Sequence, residues 1–274
     1  MSGRADIRLL LADVDGTLVT RGGVLTAAAL AAARDLAEAG VALAITSGRP
    51  PRGMRMLIEP LALRTAIAGF NGGMLVNPDL TVIETHTLDP AAAKLALDLI
   101  IGAGLDAWVY TQDAWLIRDA AAPHVARETA TVRFEATVVA SFTQAHLASA
   151  VKIVGVGDDL DRVAACETAA RQVLGETASA ARSQPYYLDV THPLANKGAV
   201  LTTLAGRLAI PPAQIATIGD MPSDVLMFRQ SGFSIAMGNA SDAVKGEASA
   251  VTDSNEDDGF AKAVGRFLLG DAGG

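Results

Sequence analysis

The stretch "LLLADVDGTLV", residues 9–19, runs apolar residues straight into Asp13, Asp15, Gly16 and Thr17. Residues 7–12 read as a strand, because a short continuous apolar run stopped by turn residues fits a parallel sheet covered on both faces. The same grammar recurs along the chain. The spacing predicts a helix over 27–39 ended by Gly40, a strand over 41–46, a Pro-started helix near 50–59 and a strand near 65–69. Late in the chain it predicts a helix over 198–209, strands over 215–219 and 233–237, and helices over 222–230 and 257–269. Strands alternating with helices indicate an α/β fold with a parallel sheet. The acidic run "NEDD" at 255–258 is assigned to the first turn of the last helix, where negative charge suits the helix dipole.

The middle of the chain breaks this alternation. Helices at 90–102 and 159–173 stand among short strand-like pieces, "AWVYT", "AWLIR", "AVKIVGV" and "PYYLDV". Such a mixture suggests an inserted α+β domain, dividing the chain into 1–82, 83–190 and 191–274. Trp108, Tyr110, Trp115, Tyr186 and Tyr187 all fall in the insert. At 274 residues the chain is long enough to bury a substantial core. Its net charge of −8 argues against nonspecific nucleic-acid binding. The single cysteine, Cys166 in "VAACETAA", forms no intrachain disulfide and reads as a buried helix face. The N-terminus is too polar for a signal peptide or a membrane span. The expectation is a cytoplasmic protein, monomer or homodimer, with no nucleic-acid or membrane partner.

In a parallel sheet, ligands bind beyond the C-terminal ends of the strands. Here one strand ends in Asp13-Val14-Asp15-Gly16-Thr17 and another in Thr46-Ser47-Gly48-Arg49. Others end in Phe70-Asn71-Gly72-Gly73, in Gly219-Asp220 followed by Asp224, and in Gly238-Asn239. One polar strand end is weak as a signal; five that converge make a site. Asp13, Asp15, Asp220 and Asp224 would crowd negative charge together, which raises carboxylate pKa values unless a cation is present. Mg²⁺ is the natural cation, since it takes oxygen ligands and keeps waters that phosphate can replace. No His or Cys lies in these motifs, which argues against zinc. Lys197, in "ANKGAVL" at a helix start, adds a second positive charge. Such a set suits holding a phosphate, with the hydroxyl of Ser47 or Thr46 and Lys197 on its oxygens and a carboxylate attacking phosphorus.

"DVDGTL", "TSGR", Lys197 and "GDMPSD" resemble, in order, the four motifs of the haloacid dehalogenase (HAD) phosphohydrolase superfamily. "DVTHPLANKG" and the late "SIAMGNASDAVKGEASAVTDSNEDDGFAKAV" resemble stretches of its Cof-type subfamily. The resemblance spans nearly the whole chain. It implies a Rossmann-like parallel-sheet core with an inserted α+β cap of the large C2 type. It implies Asp13 as nucleophile, forming an aspartyl-phosphate, and Asp15 as general acid/base, lending a backbone carbonyl to Mg²⁺. Asp220 is carried over as a metal ligand, with Asp224 either a ligand or the holder of a metal-bound water. Ser47, with Thr46 as the alternative, takes the phosphate hydroxyl role beside Gly48 and Arg49, and Lys197 binds phosphate and orients the nucleophile. Asn71, Gly72 and Asn239 match further family positions. Ser223 stands where many relatives carry Asn.

The implied function is a Mg²⁺-dependent phosphomonoesterase acting on a small phosphorylated metabolite, foremost a sugar phosphate. A phosphomutase or narrow phosphatase of the same superfamily, or a non-catalytic phospho-binding module, are the competing readings. Arg118, Lys152, Arg182 and Ser183 are the insert's candidates for contacting substrate. His86, His124, His146 and His192 show no partner pattern and are read as structural.

Overall fold

Leu9, Leu10 and Leu11 are all fully buried, so strand β1 (Leu9–Asp13) is covered on both faces. Leu10 and Ala12 enter one apolar cluster, and Leu9 and Leu11 enter another across the sheet. Burying each leucine is worth about 1.5–3 kcal/mol relative to exposure. That makes β1 the fixed centre of the fold.

The computed structural model describes residues 6–270. Residues 1–5, part of the stretch read as too polar for a targeting segment, lie outside the described residues, as do 271–274. The strands that follow are β2 (Ala42–Thr46), β3 (Ile67–Gly69), β4 (Met74–Val76) and β5 (Val82–Thr85). Next come β6 (Asp106–Tyr110), β7 (Trp115–Ile117), β8 (Thr137–Val138), β9 (Lys152–Val156), β10 (Ser179–Gln184) and β11 (Tyr187–Thr191). The last are β12 (Ile215–Gly219), β13 (Phe233–Ala236) and β14 (Ala250–Val251). The helices are α1 (Ala27–Glu38), α2 (Arg55–Ile58), α3 (Pro90–Gly102), α4 (Val125–Val132), α5 (Gln144–Ala148) and α6 (Leu160–Leu174). They continue with α7 (Lys197–Leu208), α8 (Val225–Phe228), α9 (Asp242–Lys245) and α10 (Gly259–Ala263).

An eight-stranded sheet runs β14-β13-β12-β1-β2-β3-β4-β5. Its pairings are parallel from β14 to β3, and β4 and β5 extend it as antiparallel strands. The sequence division placed after residue 82 therefore falls inside β5, which stays paired in this sheet to Thr85. The six-stranded sheet runs β10-β11-β9-β6-β7-β8. One of its faces, with Val109, Ile153, Leu188 and Val190, packs on α3 and α6. The other carries Trp108, Tyr110, Trp115 and Tyr187, and shares one apolar cluster with Met54 and Phe70 of the larger unit. The chain leaves the larger sheet at His86 and returns after Thr191, and there the rings of His86 and His192 stack at 5.3 Å.

Local chemistry explains the helix ends. Thr26 caps α1 by accepting from the Ala29 N–H at 3.1 Å, and Gly40 at φ +76° turns the chain away after it. Ala29, Ala32, Ala33 and Leu36 form its buried stripe. The helix expected over 222–230 is a 3₁₀ turn, Pro222–Asp224, followed by the single turn of α8, because Asp224 is drawn inward to cap the turn's own backbone. The "NEDD" expectation is corrected. Ser254 caps a separate 3₁₀ turn over Asn255–Asp257, and Asp258 at φ 55° breaks it from α10. The buried Asn255 side chain donates to the Val19 carbonyl at 2.9 Å, which ties this turn to the loop after β1. No described helix is long and apolar enough to cross a membrane.

Candidate active site

Because β12 pairs with β1 in parallel, Asp13 and the Gly219-Asp220 end emerge side by side. Asp13 is buried, and Gly16 at φ +79° bends the loop so closely past Asp220 that a Cβ there would collide with the Asp220 carboxylate. Helix α7 aims a third group at the same point. Its N-cap Asn196 accepts from the Ala199 N–H at 2.9 Å, and its first residue, Lys197, is buried. The Lys197 ammonium donates to Asp13 Oδ1 and to Asp224 Oδ1, each at 2.5 Å. Asp224 Oδ2 accepts from the backbone N–H of Asp220 at 2.9 Å and of Met221 at 2.8 Å. Asp220 receives the Thr17 hydroxyl at 3.3 Å and the Asn239 amide at 3.1 Å. That same amide donates to the Gly16 carbonyl at 2.9 Å, and Asn239 Oδ1 accepts from the Asn255 N–H at 3.1 Å.

One oxygen from each of Asp13, Asp220 and Asp224 lies within 4.8 Å of the others. Three carboxylates thus face one ammonium, two negative charges in excess when all are ionised. The consequence is visible in their proton affinities. Burial raises the Asp13 pKa well above the ordinary carboxylate range, with Asp224 and Asp220 adding to it against the pull of Lys197. Burial and Asp224 push Asp220 up to about 6. For Lys197 burial opposes the charge, but the Asp13 and Asp224 carboxylates outweigh it and raise its pKa. An all-oxygen trio with excess negative charge fits a hard divalent cation. Asp224 is fully buried, with Oδ1 on Lys197 and Oδ2 on two backbone N–H groups, whereas each Asp220 oxygen accepts one side-chain bond and the residue stays partly exposed.

The Asp15 side chain stands outside this trio. It is half exposed, and Arg49 forks it with Nε on Oδ2 at 2.8 Å and Nη2 on Oδ1 at 2.5 Å. The Ser47 hydroxyl lies 3.4 Å from Asp15 Oδ2, and its oxygen accepts from the Arg49 N–H at 3.1 Å. Thr46 is fully buried with its hydroxyl unpartnered. Asn71, at φ 56°, donates its N–H to the Ser47 carbonyl at 2.8 Å and packs its side chain beside Gly48. Gly72 lies elsewhere, against the start of α7, where a Cβ would meet the Asn196 carbonyl at 3.2 Å and collide with Val200.

The insert's candidates separate. Lys152 is buried and reaches the Gly48 carbonyl at 3.3 Å and Asp189 Oδ2 at 3.0 Å. Arg182 is corrected: it pairs with Glu167 of α6 at 2.8 Å, on the face turned away from the carboxylates. Ser183 sits at an irregularity of β10, and Arg118 is exposed after β7. Sequence reasoning missed Thr17, Asn255, Asp189 and Glu128. Glu128 accepts from the Tyr110 hydroxyl at 2.6 Å, and burial raises its pKa. Thr17, Asp189 and Asn255 stand inside the quoted "DVDGTL", "DVTHPLANKG" and "NEDD", whereas Glu128 lies in no stretch singled out there.

The chain is similar to the HMP-PP phosphatase of Cronobacter sakazakii, 30% identical over 85% of each chain. It is also similar to the 5-amino-6-(5-phospho-D-ribitylamino)uracil phosphatase YwtE of Bacillus subtilis, 26% identical over 96% of this chain and 99% of that one. Among solved structures, a haloacid dehalogenase-like hydrolase from Bacteroides thetaiotaomicron superposes with a TM-score of 0.86, at 24% identity over 96% of this chain and all of the other. The family model for haloacid dehalogenase-like hydrolases matches residues 10–264. With its α/β fold and its strand-end carboxylates, the chain belongs to the haloacid dehalogenase-like hydrolases.

Proposed function

We propose that the chain is a Mg²⁺-dependent phosphomonoesterase that cleaves a small metabolite phosphate, foremost a sugar or polyol phosphate, through an aspartyl-phosphate. The observation that carries this reading is the Lys197 ammonium held between Oδ1 of Asp13 and Oδ1 of Asp224. Asp13 Oδ2 attacks phosphorus, forming the O–P bond as the ester P–O bond breaks. Asp15, outside the trio, gives the leaving oxygen its proton. It then takes a proton from the water that attacks phosphorus, and the Asp13–phosphorus bond breaks to release phosphate. Ser47, just past the end of β2 beside the loop that carries Asp13 and Asp15, holds a phosphoryl oxygen, and Lys197 keeps Asp13 aimed. Asp13 and Asp220 would hold Mg²⁺, with the Asp15 backbone carbonyl beside them. Asp224 fixes Lys197 and the Asp220 loop. The bound cation supplies positive charge that keeps Asp13 ionised and screens the phosphoryl oxygens.

The printed names of the two relatives describe phosphatases of small phosphorylated compounds, one with a phosphorylated ribityl chain, and support this substrate class. The six-stranded unit serves as the cap that shields the reaction from water. The test is phosphate release by the purified protein from a panel of phosphorylated metabolites, with Mg²⁺ and with chelator. Turnover of one or a few sugar phosphates only with Mg²⁺ is the expected result. A folded protein that becomes stably phosphorylated without turnover would instead indicate a phospho-binding switch.

A further inference from the structure

The loop Ser47-Gly48-Arg49 presents three successive backbone carbonyls, and each has a different claim on it. The Ser47 carbonyl accepts from the Asn71 N–H and the Arg49 carbonyl from the Phe70 N–H, both at 2.8 Å and both within the eight-stranded unit. The middle one, of Gly48, is met by the Lys152 ammonium of β9, in the other sheet, at 3.3 Å. Lys152 is itself fixed by Asp189 of β11 at 3.0 Å, and both side chains are only 9% exposed. A contact in the reverse direction lies one residue on. Arg49 Nη1 donates to the Thr131 carbonyl of α4 at 3.0 Å, while its other two donors fork Asp15. Each of the three guanidinium nitrogens thereby has a partner, and the Asp15 carboxyl group is held in one orientation.

We infer that Lys152 and Arg49 form a reciprocal clasp by which the six-stranded unit, when docked, sets Asp15 as the base for hydrolysis of the aspartyl-phosphate. Both are positioning residues. Arg49 orients Asp15 and is itself oriented by Thr131, and Lys152 fixes the loop from which Arg49 springs. This rests on the two-step phosphatase reading above, and it replaces a direct substrate-binding part for Arg49 with one exerted through Asp15. In atoms, the clasped carboxylate takes one proton from water as the water oxygen bonds to phosphorus and the bond to Asp13 breaks.

The test uses p-nitrophenyl phosphate with Mg²⁺, because p-nitrophenolate leaves without needing a proton and so isolates the second step. Two variants read the clasp from its two sides: Arg49→Lys, and the double change Lys152→Met with Asp189→Asn, which removes both charges of that pair and leaves Glu128 its Tyr110 hydrogen bond. An acid/base contribution spans about 10²–10⁴-fold, and a misplaced base loses part of it, so kcat falls by at least about tenfold in both. Meanwhile kcat/KM stays within about threefold, KM falls with kcat, and the first turnover appears as a burst approaching one equivalent of p-nitrophenolate. If kcat and kcat/KM fall together without a burst, or kcat does not change, the clasp is refuted. If KM alone rises in Arg49→Lys, Arg49 binds substrate and the clasp is again refuted. Should the double variant fail to fold by circular dichroism, Arg49→Lys decides alone. Silence of the folded wild-type enzyme with Mg²⁺ overturns the phosphatase reading itself, an outcome distinct from any change between active variants.

Discussion

Asp220 keeps a partly exposed edge while burial and Asp224 hold its pKa near 6, against an ordinary value of 3.8. A carboxyl whose folded pKa is raised stabilises the fold below its unfolded pKa and loses that contribution as pH rises through the folded one. Without metal, therefore, the Asp220 contribution falls between about pH 4 and 6. Asp220→Asn should remove this slope and raise the metal-free Tm at pH 7. Screening at the exposed edge limits the gain to the order of 2–4 °C, the response to about 1 kcal/mol in a chain of this size. The same variant should lose most of the Tm increase that Mg²⁺ gives the wild type. Scanning calorimetry with and without Mg²⁺ measures both, and an unchanged Mg²⁺ response would remove Asp220 from the cation site. Asp13→Asn should leave the fold intact, since Lys197 keeps Asp224, yet abolish phosphate release. Measurable steady turnover in that variant would refute Asp13 as nucleophile. Asp15→Asn should slow alkyl phosphate hydrolysis by about 10²–10⁴-fold, and a loss below tenfold would count against it.

Helix α7 shows how an element delivers a single atom. Lys197→Met leaves Asp13 and Asp224 buried without their shared cation, a loss of about 3–5 kcal/mol expected from breaking a buried ion pair. Asn196→Ala removes the cap, about 1 kcal/mol, and an exposed amide bond to the Pro193 carbonyl. Urea unfolding should rank them in that order, and equal midpoints would mean the cluster contributes nothing to stability. Elements of this kind were readable in the sequence, because β1, β2, β12 and α7 bury long apolar stripes and place their polar residues at their ends. Helix α4 was not. "VARETATV" is rich in β-branched residues of low helix propensity, and it is bounded by His124 and Arg133, both left-handed. Strand β10, "SAARSQ", offers no apolar run at all and is a strand through its pairing with β11. The carboxylates of the site were legible for the same reason as β1. The Arg49–Thr131 contact was not, since 82 residues separate its partners and only docking of the two units joins them.

At the scale of the whole molecule, two sheets with separate apolar faces are joined by one shared cluster and by two chain crossings marked by the His86–His192 stack. Both tryptophans of the chain, Trp108 and Trp115, stand edge to face at 5.1 Å on the side of the smaller sheet that meets the larger unit. Ultraviolet emission from this protein is therefore a local signal with a fixed address. It is silent on the strands that hold the carboxylates and sensitive to water reaching the junction. Because one apolar cluster spans that junction, the red shift in urea should coincide with the loss of far-ultraviolet ellipticity, which reports every helix and strand. Two separate midpoints would show that the sheets melt as independent bodies. Under native conditions the same pair of indoles gives the protein an intrinsic optical gauge of whether its two halves are apart or together.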